Sequence, residues 1–309
     1  MFHNIIAQNY FGVKKILIPY LLLIMPIYAL SQNTTNAVKK SRSYYFYWGY
    51  HRNFYAPSNI HYKSEHYDFT LYDAKANDMP ASLKQYFDVK NISVPQYNVR
   101  FGAEWKNNWF ISIGVDHHKY RLTPTQNIQI GGYIDPSSLT YYNADSSVTS
   151  EEQYTGAFSD QDSLLYRREF MDFHHSNGMN QFRISIEKRI PLFDIPKIKT
   201  AIELYAGAGL GAIVCWTDFT FFRTRFLNNL HLSGWGMSGL YGVRFVHKNR
   251  FFVQYGFQNG FNFLTDIQLE NKGSSARAQQ NIHYFERGVQ VGWIFGNVGS
   301  KLPITTSTN

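Results

Sequence analysis

The sequence predicts an all-β fold, an antiparallel up-and-down transmembrane β-barrel of eight strands. Three observations favour this fold. Aromatic residues make up 17% of the 309 residues, and such residues favour strands and membrane–water interfaces. Several segments of about ten residues alternate, with a period of two, between bulky apolar side chains and small or polar ones. The connections between these segments are short and long in turn, as in membrane barrels.

Composition and charge exclude several classes of protein. The formal net charge is +8, but several of the positive charges lie between residues 14 and 42, before the first predicted strand. The sequence has no basic helical stripe and no nucleic-acid motif, so we predict no nucleic-acid partner. The single cysteine, Cys215, excludes a disulfide framework and a multi-cysteine metal site. No phosphate-binding loop or metal-ligand spacing is present, so we predict no cofactor and no metal.

The N-terminal segment predicts export. Lys14 and Lys15 precede an apolar run over 16–27, and Ala29-Leu30-Ser31 has the small-x-small form of a signal-peptide cleavage site. The run is short and interrupted by prolines, whereas a spanning helix needs about 20 apolar residues. The predicted organisation is a signal peptide (1–31), a linker (32–42), an outer-membrane barrel (43–296) and a C-terminal tail (297–309).

Alternation defines the strands, and the chemistry of their two faces favours a membrane. In the segment 109–116, Trp109, Ile111 and Ile113 share one face, while Gly114 lies on the other. A soluble sandwich also alternates, but its polar face rarely carries so many glycines, and a narrow barrel has interior room for small side chains. The predicted strands are 44–52, 94–104, 109–121, 180–189, 199–212, 234–247, 250–262 and 283–295.

Connection lengths set the predicted topology. Three short connections, at 105–108, 190–197 and 247–249, are assigned to the periplasmic side. The long connections, assigned to the outside, cover 54–93, 122–179, 213–233 and 263–281. Two segments within them, 66–76 and 126–134, also alternate, and we interpret them as hairpins inside the outer loops. If they crossed the membrane instead, the barrel would have ten or twelve strands.

Three segments of the chain resemble outer-membrane β-barrel proteins of the Bacteroidota. These are the opening 44–50 (YYFYWGY), the segment 67–71 (YDFTL) and the last predicted strand, 288–295 (GVQVGWIF). The resemblance implies the fold and a location in the bacterial outer membrane, and no particular activity. It implies outer-membrane lipids and lipopolysaccharide as partners, and the barrel-assembly machinery for insertion. The oligomeric state is left open.

The inward face of the predicted barrel carries charges. A salt-bridge network that fills a narrow lumen is the preferred interpretation, because desolvated charges must pair and eight strands leave no open channel. An ion path is the alternative, and it would need more strands. The residues that parity places inside are Arg100, Glu104, Asp116, Arg183, Glu187, Glu203, Arg244 and Glu286.

His174-His175-Ser176-Asn177 resembles the His-x-Ser-Asn motif of lipid A 3-O-deacylase barrels. The resemblance implies that His174 is a general base and Ser176 a nucleophile, and two residues apart on a regular strand do share a face. The deacylases also need an acid beside the histidine. Glu187 lies at a suitable distance along the sequence, but its parity points into the lumen. An extracellular turn is the preferred interpretation, because Ser-Asn-Gly is common in turns.

Two further clusters are weaker candidates. His117 and His118 are adjacent, so on a strand they point to opposite faces and cannot chelate one ion together. The segment 123–166 contains six carboxylates and no Lys or Arg. A solvated loop is the preferred interpretation, and divalent-cation bridging to lipopolysaccharide is the alternative. The predicted function is therefore a non-enzymatic structural or surface-interaction role. A lipid A deacylase-like serine esterase and a small porin are the second and third candidates.

Overall fold

The computed structural model describes residues 42–88, 90, 93–142, 152–228 and 230–296. The predicted signal peptide (1–31), nearly all of the linker (32–42) and the tail (297–309) lie outside the described residues. Among the residues described, no helix is long and apolar enough to cross a membrane. The elements are β1 (Ser43–Tyr55), β2 (Ser58–Lys63), β3 (Tyr67–Ala74), β4 (Ala76–Asn77), α1 (Leu83–Tyr86), β5 (Tyr97–Lys106), β6 (Trp109–Leu122), β7 (Gln126–Ile134), α2 (Ser138–Tyr141), β8 (Gly156–Tyr166), β9 (Met171–Ile195), β10 (Thr200–Cys215), β11 (Asp218–Phe221), β12 (Thr224–Leu227), β13 (His231–His247), β14 (Phe251–Gln268) and β15 (Arg277–Gly296).

Eight of the strands form a closed antiparallel ring in the order β1-β5-β6-β9-β10-β13-β14-β15. The ring closes because β15 pairs with β1, from Ser43 opposite Gly296 to Tyr55 opposite Tyr284. The predicted eight-stranded barrel is therefore confirmed. The predicted start at residue 94 was early, because β5 begins at Tyr97, and β9 is much longer than predicted at 25 residues.

The three short connections lie at the end of the ring where β1 begins and β15 ends, as predicted for the periplasmic side. Asn107 and Asn108 have φ angles of 47° and 64°. Two successive positive φ angles define the type I′ turn, whose twist matches that of a two-residue hairpin. Lys248 and Asn249 repeat the pattern, with φ angles of 49° and 56°. The third connection is a 3₁₀ turn over Pro196–Ile198.

The barrel wall is apolar outside and polar inside. On β9, outward Phe182 and Ile184 are 54% and 59% exposed, whereas inward Arg183 is 2% exposed. This distribution of apolar and polar side chains is the reverse of that in a soluble protein, and it is typical of a barrel that faces lipid. The chain is thus a transmembrane β-barrel, and single-chain barrels of this kind reside in the bacterial outer membrane. Each strand contributes to the belt, for example through Phe46, Phe101, Ile113, Ile184, Leu210, Met237, Tyr255 and Val291.

The long outer connections are largely folded as β-structure, which the sequence had indicated only for 66–76 and 126–134. From the outer end of β15 the sheet continues through β2, β3 and β7 to β8, and from β9 it continues through β11 to β12. We call these strands, with the outer part of β9, the outer sandwich. Neither alternating segment crosses the membrane, because β3 and β7 pair with each other in the outer sandwich.

Aromatic rings fill the space between the two sheets of the outer sandwich. Tyr62 on β2 packs against Phe173 on β9, with ring centroids 5.6 Å apart, and Tyr67 packs against Phe221 on β11 at 4.9 Å. This outer core reaches down into the mouth of the barrel, where it includes inward residues such as Ile213 and Leu264. The sandwich therefore has a hydrophobic core of its own that continues into the lumen.

We expect Phe221→Ala to lower the free energy of unfolding by about 3–5 kcal/mol, because it would remove a fully buried ring from the outer core. Phe87→Ala is the matched control, since Phe87 is 85% exposed and its loss should change stability by no more than about 0.5 kcal/mol. Denaturant unfolding in detergent micelles measures both. Equal effects of the two substitutions would contradict a packed outer sandwich.

Candidate functional site in the barrel lumen

The lumen is filled by three layers of side chains. At the periplasmic end lies an apolar cluster, which we call the periplasmic cluster. A polar middle layer follows, and the outer core closes the other end. The periplasmic cluster consists of Tyr45, Tyr47, Phe110, Val246, Phe252 and Ile294.

Asp116 is the centre of the middle layer. Arg100 Nη2 donates to both carboxylate oxygens of Asp116, at 2.6 and 2.7 Å, and Arg183 Nη1 donates to Oδ2 at 3.0 Å. Arg183 also donates to Gln258 at 2.6 Å, and Gln258 donates to the Tyr284 hydroxyl at 2.9 Å. The network spans the lumen from β5, through β6 and β9, to β14 and β15.

Glycines make room for the arginines of this network. A Cβ on Gly114 would contact the Arg100 side chain and the Val99 carbonyl, and a Cβ on Gly209 would contact the Arg183 guanidinium. The glycine-rich face is therefore the inner face, as the sequence indicated. Arg100, Asp116 and Arg183 are all at least 97% buried, so their charges are compensated by each other and by amides rather than by water.

Two of the other predicted lumen charges lie near the periplasmic cluster. Glu187 accepts a hydrogen bond from the Tyr45 hydroxyl, and Glu104 accepts from Ser43 Oγ at 2.9 Å and from the Asn108 backbone N–H at 3.1 Å. Glu104 thereby ties the first turn to the start of β1. Through these contacts both carboxylates stabilise the periplasmic end of the barrel.

Arg244 and Glu203 face each other in register across β10 and β13, but the described ion pairs do not include one between them. Arg244 donates instead to Gln254 Oε1, from Nε at 2.9 Å and from Nη2 at 2.5 Å, and its guanidinium lies 4.2 Å from the Phe252 ring centroid. Glu203 is only half-buried. The predicted network is thus partly an amide and cation–π arrangement at this end.

Sequence reasoning missed Arg189. It lies two residues beyond Glu187 on the same face of β9, and its guanidinium stacks 3.6 Å from the Phe110 ring centroid and approaches Glu187 at 3.6 Å. The period-two pattern of residues 183, 185, 187 and 189 could have identified Arg189 as an inward side chain. Arg189 is the last residue of the predicted strand 180–189, but it was not included among the residues that parity places inside.

A second group that sequence reasoning missed lies directly above Asp116. His51 Nδ1 and His118 Nε2 lie 3.5 and 3.3 Å from the same oxygen, Oε2 of Glu286. The other oxygen of Glu286 accepts a hydrogen bond from the Asn98 amide at 3.2 Å. Among the described residues, these three are the one group of His, Cys, Asp or Glu side chains close enough to share a metal ion. His117 is not part of this group, and it bonds Asn180 at 2.7 Å.

The predicted catalytic pair lies outside the membrane, beside a bulge in β9. The pairing of β9 with β6 shifts between His118 and Tyr120, and Gly178 adopts a φ of 117° there. His174 Nε2 lies 3.7 Å from Asp218 and 3.9 Å from Asp172, whereas its buried Nδ1 has no hydrogen-bond partner. Burial lowers the pKa of His174, despite the opposing effect of the two carboxylates.

No described hydrogen bond joins the imidazole of His174 to the Ser176 hydroxyl. A nucleophilic serine needs such a bond so that the base can take its proton. Carboxylates do lie beside the histidine, and they come from β9 and β11 rather than from Glu187. Catalysis by His174 and Ser176 remains a prediction that this geometry does not favour.

The neighbouring nucleophiles and bases are buried in the outer core. Burial lowers the pKa of His175 to about 3, and its Nδ1 lies 3.2 Å from Thr217 Oγ1. Burial also raises the pKa of the Cys215 thiol to about 12, which leaves it protonated and unreactive at neutral pH. Both side chains therefore act as packing residues.

We expect the purified protein to show no large, steady conductance in planar bilayers, because side chains fill all three layers of the lumen. Voltage-clamp recordings at several holding potentials measure this directly. Stable channels of porin size would contradict the filled lumen and would favour the small-porin candidate.

We expect Ser176→Ala to leave lipid A acylation unchanged, because no hydrogen bond links this serine to a base. Mass spectrometry of lipid A from cells that produce the wild type, the variant or neither protein provides the measurement. If the wild type removes an acyl chain and the variant does not, the non-enzymatic interpretation is wrong.

The described chain is similar to solved outer-membrane proteins at low identity. Neisserial surface protein A aligns with a TM-score of 0.30 at 10% identity, over 82% of this chain and 97% of its own. Ail, the attachment invasion locus protein of Yersinia pestis, gives 0.29 at 10%, over 82% and 99%. OprG of Pseudomonas aeruginosa gives 0.35 at 10%, over 82% and 95%. No protein-family model and no curated protein matches the chain. Because the TM-scores are low, the fold of this chain rests on its own strand pairing.

Proposed function

We propose that this outer-membrane barrel is non-enzymatic, and that it serves as a sealed anchor for the outer sandwich, with a structural or surface-interaction role. The observation that carries the proposal is the continuity of the outer core, which fills the mouth of the barrel and the sandwich above it. A packed core fixes the sandwich rigidly to the barrel. A rigid protein surface held above the membrane suits recognition more than transport.

The two other candidate functions receive less support. A porin needs an open lumen, and the middle layer here consists of buried, mutually bonded side chains. An esterase needs a serine that is activated by its base, and His174 and Ser176 lack that bond. We also propose, from the sequence resemblance, that the protein is of the Bacteroidota type. Export by the N-terminal signal and insertion by the barrel-assembly machinery belong to the same proposal.

Lipopolysaccharide of the outer leaflet is the proposed first partner, and Arg287 is the residue that supports it. Arg287 lies on the outward face of β15, next to the apolar belt, with its guanidinium 5.3 Å from the Phe54 ring centroid. It stands directly opposite Arg52 on β1, and like charges in that position repel. Asp78 neutralises Arg52 through two bonds, at 2.5 and 2.9 Å.

Arg287 has no carboxylate partner among the described residues. An exposed guanidinium at the edge of a lipid-facing belt matches the charge and geometry of a lipid phosphate. The phosphate would also relieve the repulsion between Arg287 and Arg52. The proposed contact therefore lies at the height where the lipopolysaccharide head group meets the barrel wall.

We expect lipopolysaccharide to raise the thermal unfolding midpoint of the reconstituted wild type, because a ligand of the folded state stabilises it. Arg287→Gln should roughly halve that rise, since it removes one charge-assisted contact. Arg168→Gln is the matched control, because Arg168 is also exposed but lies in a turn of the outer sandwich. The measurement uses phospholipid vesicles with and without purified lipopolysaccharide.

An equal rise in the wild type and both variants would contradict the contact at Arg287. Heat modifiability on gels verifies that each variant is folded before the comparison. The non-enzymatic role would be contradicted by a lipid A modification that depends on His174 or Ser176, and the sealed lumen would be contradicted by stable channels.

A further inference from the structure

We propose that His51, His118 and Glu286 form a binding site for a divalent transition-metal ion, with Zn²⁺ as the ion of best fit. The three side chains come from β1, β6 and β15. They meet inside the lumen, between the Asp116 network and the outer core. The sequence alone did not indicate this site, because His118 follows His51 by 67 positions and Glu286 follows His118 by 168.

The distances match ligands that share an ion better than groups that bond each other. Histidine and carboxylate groups joined by a hydrogen bond lie about 2.7–2.9 Å apart. Here the nitrogen–oxygen distances are 3.5 Å for His51 and 3.3 Å for His118. Ligands about 2.0–2.1 Å from a tetrahedral Zn²⁺ are separated by about 3.3 Å. All three ligand atoms lie within 4.8 Å of one another.

The polar atoms of the group lack hydrogen-bond partners. Both ring nitrogens of His51, both ring nitrogens of His118 and Oε2 of Glu286 are buried and unbonded. Unsatisfied buried polar atoms destabilise a fold, so several together at one point require an explanation. A bound cation explains the three that face one another, because it would take a lone pair from His51 Nδ1, His118 Nε2 and Glu286 Oε2 at the same time.

The surroundings fix the ligands as metal sites do. The Asn98 amide holds Oε1 of Glu286 and leaves Oε2 directed at the two histidines. The His118 ring packs edge-on against Tyr284, with centroids 4.9 Å apart, and the two imidazoles meet edge-to-face at 5.3 Å. The Asn98 amide thus acts as an outer partner of a metal ligand does, because it fixes the orientation of the carboxylate.

The donor set selects the class of ion. Two imidazoles and one carboxylate suit Zn²⁺ and the neighbouring first-row metals, whereas Mg²⁺ and Ca²⁺ prefer six or more oxygen ligands. Three protein ligands leave a fourth position for water. Because β6 is separated from β15 by two strands in the ring, the ion would link strands that do not pair with each other. Each ligand is at least 97% buried, so we expect loading during folding and slow exchange afterwards.

The test refolds the full, untagged chain into detergent micelles with Zn²⁺, removes loosely bound metal with a brief chelator wash, and measures zinc by mass spectrometry. We expect about one zinc per chain in the wild type and less than a tenth of that in His118→Ala and Glu286→Gln. His117→Ala is the matched control and should retain the wild-type amount, because His117 neighbours His118 but bonds Asn180. Heat modifiability identifies the folded fraction of each variant.

X-ray absorption spectroscopy of the zinc-loaded wild type identifies the metal ligands directly, so it tests the proposal even if a variant does not fold. We expect scattering from two imidazoles and a light-atom shell at about 2.0–2.1 Å. A folded wild type that retains no zinc would overturn the proposal. Equal amounts of zinc in the wild type and the site variants would also overturn it, because the metal would then be bound by other histidines. An absorption spectrum without imidazole scattering would overturn it as well.

Discussion

The double ion pair of Asp116 is the interaction on which the rest of the barrel depends. One carboxylate, fully buried on β6, compensates Arg100 on β5 and Arg183 on β9. Breaking a buried pair by removing one partner costs about 3–5 kcal/mol, since it leaves an unpaired charge away from water. Loss of Asp116 would leave two such charges. Gly114 and Gly209 follow from the same constraint, because a Cβ at either position would collide with the guanidinium-bearing side chain of Arg100 or Arg183.

The strand β9 shows how one chain segment meets three environments. Near the periplasm its inward residues, Glu187 and Arg189, meet the periplasmic cluster, and at mid-membrane Arg183 meets Asp116. Its outward residues there, Phe182 and Ile184, face lipid. Beyond the bulge at Gly178, inward Phe173 and His175 enter the outer core and contact each other at 5.1 Å. A single period-two pattern thus satisfies lipid, a charged lumen and an apolar core in turn.

This dual use of one pattern explains what the sequence could and could not predict. Alternation predicted the strands, the inward position of Asp116 and the short turns, because each depends on local geometry. The outer sandwich was missed as a packed unit, since alternation in 67–71 is the same whether the apolar side faces lipid or a protein core. The period-two pattern also predicts only whether a side chain points into the lumen. Which inward residues meet depends on the ring of pairings, and so the contact of His118 with Glu286 had no local signal.

The order of the lumen layers explains why the histidine group lies where it does. Both arginines of the middle layer are committed to Asp116, so no guanidinium is left for the next carboxylate above it. Among the described ion-pairing groups, only the rings of His51 and His118 approach Oε2 of Glu286. Directly above begins the outer core, which consists of apolar and aromatic side chains. A buried carboxylate at that boundary needs a cation, and two imidazoles that are already directed at its oxygen provide the remaining ligands for one.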